Sequence, residues 1–188
     1  MKLRLVIAIG IVVILGSSIV SAQALTPFFA EINMASRQGG PASGKMYYSD
    51  TKFYIDSTDK KGNHVIMITD LPSQMISMLV PEKKTYSLIR TDQMPGGKPA
   101  AWRPYKADNP CADEPSVTCK KAGTEVVSGR TCDKWLFTGK GDRTVWIDQK
   151  SQIPLKMVMG DSIWELSNIK EGPQDPGLFQ VPGDYKKK

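Results

Sequence analysis

The sequence predicts a mainly β, single-domain antiparallel protein, and three observations carry that expectation. From Thr26 onward the apolar residues recur with period two instead of 3.6. β-branched and aromatic residues dominate the apolar segments, and Gly, Pro, Asn and Asp punctuate them at short intervals. No segment carries an amphipathic helical stripe, and only 173–178 hints at a helical turn. A chain of about ten strands with almost no helix must close its sheet or cover it.

The first element is an export signal. Lys2 and Arg4 precede an apolar run over 5–15, and small residues then lead to the A-x-A pattern Ala22-Gln23-Ala24. Gly16-Ser17-Ser18 interrupts the run short of the ~18 apolar residues that a membrane span needs. Residues 1–24 are therefore expected to be removed near Ala22 or Ala24, delivering 25–188 to the periplasm as one domain.

The strands follow in order. Phe28, Ala30, Ile32 and Met34 alternate with Phe29, Glu31 and Asn33, and Gly-rich 37–44 reads as a turn. Met46 and Tyr48, then Phe53 and Ile55, continue the alternation across Ser49-Asp50 and on to the turn at 59–63. Segments 64–69 and 75–80 are apolar on both faces, so this part of the sheet should be covered on both sides. Pro81 opens the next turn, and 85–89 returns along the sheet. Residues 94–121 carry Pro95, Pro99, Pro104, Pro110 and Pro115, which exclude a long helix and suit a lid or flap loop. Strand patterns resume over 124–127, 132–137, 143–148, 153–159 and 162–170.

Charge and cysteine content narrow the function classes. The chain is mildly basic, +6 before the leader is removed, but the lysines lie in scattered pairs and in Lys186-Lys187-Lys188. No basic stripe interleaves with aromatics, so nucleic acid is not an expected partner; transient contact with anionic membrane surfaces is compatible with this charge. Three cysteines in an exported chain allow one disulfide. Loop entropy differs by only about 1 kcal/mol between Cys111–Cys119 and Cys111–Cys132. The turn-forming stretch between Cys111 and Cys119 favours that pair, with Cys132 a free, buried thiol.

Catalytic sets are missing from the pattern. His64 is the single histidine and has no companion at metal-ligand spacing, so a structural role and no metal or cofactor are expected. Ser77 or Ser87 would have to share it for a triad, and no spacing supports that. Asp148 and Glu165 read as solvent-facing strand residues, and Cys132 has Lys134 alone as an activating neighbour. The protein is read as a non-enzyme.

Four segments in a fixed order carry a family resemblance: Gly129-Arg130-Thr131-Cys132-Asp133-Lys134-Trp135, Thr144-Val145-Trp146-Ile147-Asp148, Ile153-Pro154-Leu155-Lys156 and Leu178-Phe179-Gln180-Val181-Pro182-Gly183. Together they resemble the carboxy-terminal half of the LolA-like superfamily, and Asn109-Pro110-Cys111 with Thr118-Cys119-Lys120-Lys121 is similar to an exported branch of it. The resemblance implies an unclosed half β-barrel of about 10–11 strands around an apolar cavity under a loop or short-helix lid. It also implies binding of lipid or lipoprotein acyl chains, as carrier or envelope sensor, with an envelope protein as a second class of partner. Two departures from the family pattern stand out. Leu25-Thr26-Pro27 leads straight into a strand where the lipoprotein carriers begin with a helix, and the Pro-rich 94–121 segment replaces the lid helices. The expected cavity lining is Met46, Tyr48, Phe53, Ile55, Met67, Met78, Met157, Met159 and Trp164, the expected lid residues are Met94 and Trp102, and a monomer is expected. Methionine suits such a lining because its unbranched, polarizable side chain adapts to irregular guests.

Overall fold

The computed structural model describes residues 25–37, 40–93, 104–139 and 141–188. The leader at 1–24, with Ala22 and Ala24, and the lid candidates Met94 and Trp102 lie outside the described residues.

Twelve strands are present among the described residues: β1 (Phe28–Ser36), β2 (Gly40–Ser49), β3 (Lys52–Asp59), β4 (His64–Asp70), β5 (Met75–Val80), β6 (Thr85–Arg90), β7 (Val117–Val127), β8 (Arg130–Gly139), β9 (Arg143–Asp148), β10 (Pro154–Met159), β11 (Ser162–Glu171) and β12 (Lys186–Lys187). They form one sheet in the order β12-β6-β5-β4-β3-β2-β1-β11-β10-β9-β8-β7. Every pairing is antiparallel except β12 with β6. β1 is the seam, held by β2 on one side and β11 on the other. The sheet wraps without closing, and β7 and β12 are its two edges. This is the unclosed antiparallel half-barrel expected from the sequence.

Local chemistry explains the register. Tight hairpins place Asp50 and Gln74 at positive φ, a region that Asn, Asp and similar polar residues enter at modest cost. Register shifts at Phe29/Glu31, Lys121/Gly123 and Pro154/Lys156 interrupt three ladders, and such bulges bend and twist a sheet toward closure.

Four segments differ from their sequence reading. Gly40–Gly44 belongs to β2 and is no part of the turn. A side chain at Gly44 would run into the Asp56 carbonyl and the Ser57 backbone, so glycine marks a close approach of strands there. β7 begins at Val117, inside the Pro-rich stretch, because Pro115 is its last proline and the pairing of Val117 with Gly139 starts just beyond. Asp148 is 3% exposed, contrary to its reading as a solvent-facing residue, because Arg130 from β8 reaches it at 3.3 Å and Ser151 Oγ donates to it at 2.6 Å. Lys186 and Lys187, to which the sequence assigned no strand, form β12 with both side chains exposed.

Two packed clusters organise the interior. The larger joins Phe28, Ala30, Ile32, Met46, Tyr48, Phe53 and Ile55 of β1–β3 with Leu155 and Leu166 of β10 and β11, and extends to Cys132 and Trp146. The smaller holds Tyr105, Phe137, Val145, Ile147 and Met157. On the other side of β4–β6, Phe179 and Val181 of the segment after β11 face Ile68 and Leu88 across a small cavity. β4 and β5 nevertheless stay mostly half-buried, so the two-sided cover expected from their composition is only partial.

Candidate functional site: one methionine-rich face and its strap

Directly paired residues in a sheet share a face, and the register puts all nine expected lining residues on the same one. Tyr48 opposes Phe53. Met46, Ile55, Met67 and Met78 form one continuous row across β2, β3, β4 and β5. Across the seam, Met34 of β1 opposes Trp164 of β11, which opposes Met157 of β10, and Met159 follows two residues on. Met46, Tyr48, Phe53, Ile55 and Met157 are buried, Met67, Met78 and Trp164 are half-buried, and Met159 is 43% exposed. Tyr48 stacks between Phe28 and Phe53, with centroid distances of 5.7 and 4.7 Å. The face therefore grades from a closed aromatic floor to an accessible methionine rim.

The β8–β10 part of this face is roofed by a strap, residues 104–116. Tyr105 is buried edge-on against Phe137, 5.8 Å between centroids, and its N–H donates to the Gln152 carbonyl at 2.8 Å. The Cys111–Cys119 disulfide ties the strap to β7, as favoured from the sequence. Arg143 lies over the Phe137 ring at 4.3 Å and pairs with Glu114 of the strap at 2.5 Å. Tyr105 and Met34 were not among the expected site residues. Met34 was legible as the next member of the β1 alternation, whereas nothing local marks Tyr105 within its loop.

The open space lies beside the face. A groove of about 800 Å³ is bordered by apolar Met34, Ala35, Pro41, Ala42 and Ile163 and by polar Asn33, Ser43, Thr58, Asp59, Lys60 and Glu165. None of the nine expected lining residues borders it, but Met34 is the cross-strand partner of Trp164 and joins groove to face. A volume of this size with a mixed apolar and polar wall suits an amphipathic small molecule. A smaller cavity of about 290 Å³ sits between β3–β6 and Phe179 with Val181.

The remaining reactive groups are engaged structurally. His64 Nε2 is 2.8 Å from Asp56 and its Nδ1 is 3.5 Å from Glu82. The Cys132 thiol is fully buried, and burial, helped by nearby Asp148, pushes its pKa up to about 12. Glu165 pairs with Lys156 at 3.0 Å rather than with Asp148. Trp146 is clasped by Lys134 and Lys156, 5.1 and 5.4 Å from the ring, and its Nε1–H donates to Glu125 at 2.7 Å. Among the described residues no three His, Cys, Asp or Glu side chains are grouped to hold a metal ion, and no helix is long and apolar enough to cross a membrane.

No protein-family model and no curated protein sequence matches the chain. Solved structures do. The MucA/MucB complex of Pseudomonas aeruginosa matches 85% of this chain and 56% of its own at 12% identity, with a TM-score of 0.54. A structure of MucB matches 85% and 58% at 14% identity, with a TM-score of 0.53. The LolA superfamily protein NE2245 from Nitrosomonas europaea covers 83% and 90% at 9% identity, with a TM-score of 0.41. The chain thus spans little more than half the length of the MucB chains it matches, and at such identities a likeness establishes fold alone. The chain shares the fold of the matched part of MucB, one sheet, antiparallel but for β12, that wraps without closing as the sequence led us to expect.

Proposed function

We propose that this protein is an exported, periplasmic, non-catalytic binder of lipid or lipoprotein acyl chains, acting as a carrier or an envelope sensor. The observation that carries this reading is the methionine-rich face that meets an amphipathic groove at Met34. Acyl carbons would lie along Met34, Trp164, Met67 and Met78, while the polar wall with Asp59 and Lys60 would receive a head group. Burying ten methylenes contributes roughly 8 kcal/mol at about 0.8 each. Ordering costs subtract from this, so the affinity is weaker than micromolar, which corresponds to about −8 kcal/mol. Exchangeable binding of that strength suits a shuttle or a sensor. The basic pairs Lys60-Lys61 and Lys83-Lys84 would favour brief contact with anionic head groups.

The test uses the full folded domain stripped of lipid. It should take up a fluorescent fatty acid, and the Met34→Asp variant should lose uptake at least about tenfold while melting normally. Failure of uptake, together with the absence of any co-purifying lipid by native mass spectrometry of protein from its own host, would overturn the reading.

A second reading, recognition of an envelope protein, is supported by one finding: a matched structure holds MucB in complex with MucA(peri), with a TM-score of 0.51 to this chain. Crosslinking in the native envelope separates the two, since a carrier captures lipidated species and a sensor one fixed protein.

A further inference from the structure

The β6 side of the sheet ends on a weakly held strand. β12 is two residues long, both are exposed, and it makes the one parallel pairing among the described residues. Besides the ladder bonding of that pairing, the Lys186 N–H donates to the Lys84 carbonyl and the Lys188 N–H donates to the Tyr86 carbonyl, each at 2.9 Å. The ion pair between Lys84 and Asp184, 2.7 Å apart, joins two exposed side chains. Exposed pairs contribute little, and neither side chain of β12 is buried, so the strand itself is held mainly by main-chain hydrogen bonds.

Among the described residues β12 pairs with Thr85 and Tyr86 of β6. The Tyr86 carbonyl faces β12, and by the two-residue period the amide and carbonyl of Leu88 face the same side. Leu88 is 40% exposed and shares the 290 Å³ cavity with Ile68, Phe179 and Val181.

We propose that the β6 edge is a strand-addition site for an extended peptide that combines one acidic and two apolar residues, with β12 as the displaceable occupant. The existing register defines that peptide. Its carboxylate takes the place of Asp184 on Lys84. Lys186 pairs with Thr85 and Lys187 with Tyr86, so the residue three positions after the acid lies opposite Tyr86 and the residue five positions after it lies beside Leu88. Both share the face of Ile68 and Leu88 and are apolar for that reason. Main-chain hydrogen bonds supply affinity and the alternate side chains supply selection. The inference rests on the protein-partner reading and is independent of acyl-chain binding.

The probe is a fluorescein-labelled peptide of sequence Asp-Ser-Thr-Val-Thr-Leu-Ser, followed by fluorescence polarisation. Lys186→Pro with Lys188→Pro removes both donors that hold β12, and Asp184→Lys loosens it by repulsion from Lys84. Each should tighten peptide binding roughly tenfold over the unaltered chain, because the competent edge is no longer masked. Leu88→Pro deletes the outward N–H at an edge position where proline is tolerated, and it should abolish binding in either background; a peptide with Lys for Asp should bind at least about tenfold more weakly. Absence of binding to the Pro-substituted variant with an unchanged near-UV spectrum, or binding that survives Leu88→Pro, overturns the proposal. An envelope protein whose capture is indifferent to Leu88→Pro also overturns it, while leaving the protein-partner reading standing.

Discussion

Replacing both Cys111 and Cys119 with serine tests whether the strap over β8–β10 is a cooperative part of the fold. The disulfide closes a loop with a sequence separation of 8, and loop entropy of that size contributes about 2.5 kcal/mol. The other tether is Tyr105, buried on Phe137; truncating a buried aromatic to alanine costs roughly 3–5 kcal/mol. If disulfide and ring hold one unit, their losses are not independent. Cys111→Ser with Cys119→Ser alone should lower the melting temperature by roughly 5–10 °C at 2–4 °C per kcal/mol. Adding Tyr105→Ala should then cost less than Tyr105→Ala costs in the unaltered chain, by at least about 0.5 kcal/mol. Urea melts of the four proteins supply the double-mutant cycle. Release of the strap bares Phe137, Val145, Ile147 and Met157, so the dye 1-anilinonaphthalene-8-sulfonate should brighten on the doubly altered protein. Additive losses within about 0.3 kcal/mol, with no change in dye fluorescence, would refute the idea that strap and disulfide act together.

Gly44→Ala should destabilise by about 2–3 kcal/mol, since the new methyl meets backbone of β3 and not a yielding side chain; a chemical melt checks it. Acid should weaken the fold. Asp133, which burial alone would raise, is held below its ordinary 3.8 by Lys121, Gln149 and Thr124, and Glu171 is held below its ordinary 4.5 by Arg130 and Lys150. Carboxyls depressed in the folded state lend stability that is full above their unfolded pKa and is lost as pH falls through the folded value. Urea midpoints should therefore hold steady above about pH 5 and drop from about pH 4 downward, with a smaller drop in Lys121→Met. Cys132 should resist thiol reagents in the folded protein and react once denaturant unfolds it, as a fully buried thiol with a raised pKa must; prompt labelling of native protein would contradict this.

The parity of the strands was legible because it is local. Each hairpin from β1 to β6 is bounded by turn residues, and one correct phase at Met46 and Tyr48 propagates to Phe53, Ile55, Met67 and Met78 through the register. What stayed hidden was set by distant partners. Gly40–Gly44 has turn composition, yet β3 approaches so closely that glycine is what a strand needs there. Asp148 carries no local sign of burial, because its cation arrives from Arg130 on another strand. Tyr105 sits in a proline-rich stretch whose sequence gives no period, and only the strap's path over Phe137 makes it part of the core. β12 is written in two lysines, and its pairing depends on where the preceding turn delivers the chain.

Photo-crosslinking reports directly whether the methionine-rich face receives a hydrocarbon tail. A fatty acid bearing a diazirine near its methyl end, irradiated with the delipidated domain and mapped by peptide mass spectrometry, should mark Met34, Met67, Met78 or Trp164. Adducts confined to the opposite face, at Tyr47, Tyr54 or Leu88, or none at all above an unfolded control, would contradict it.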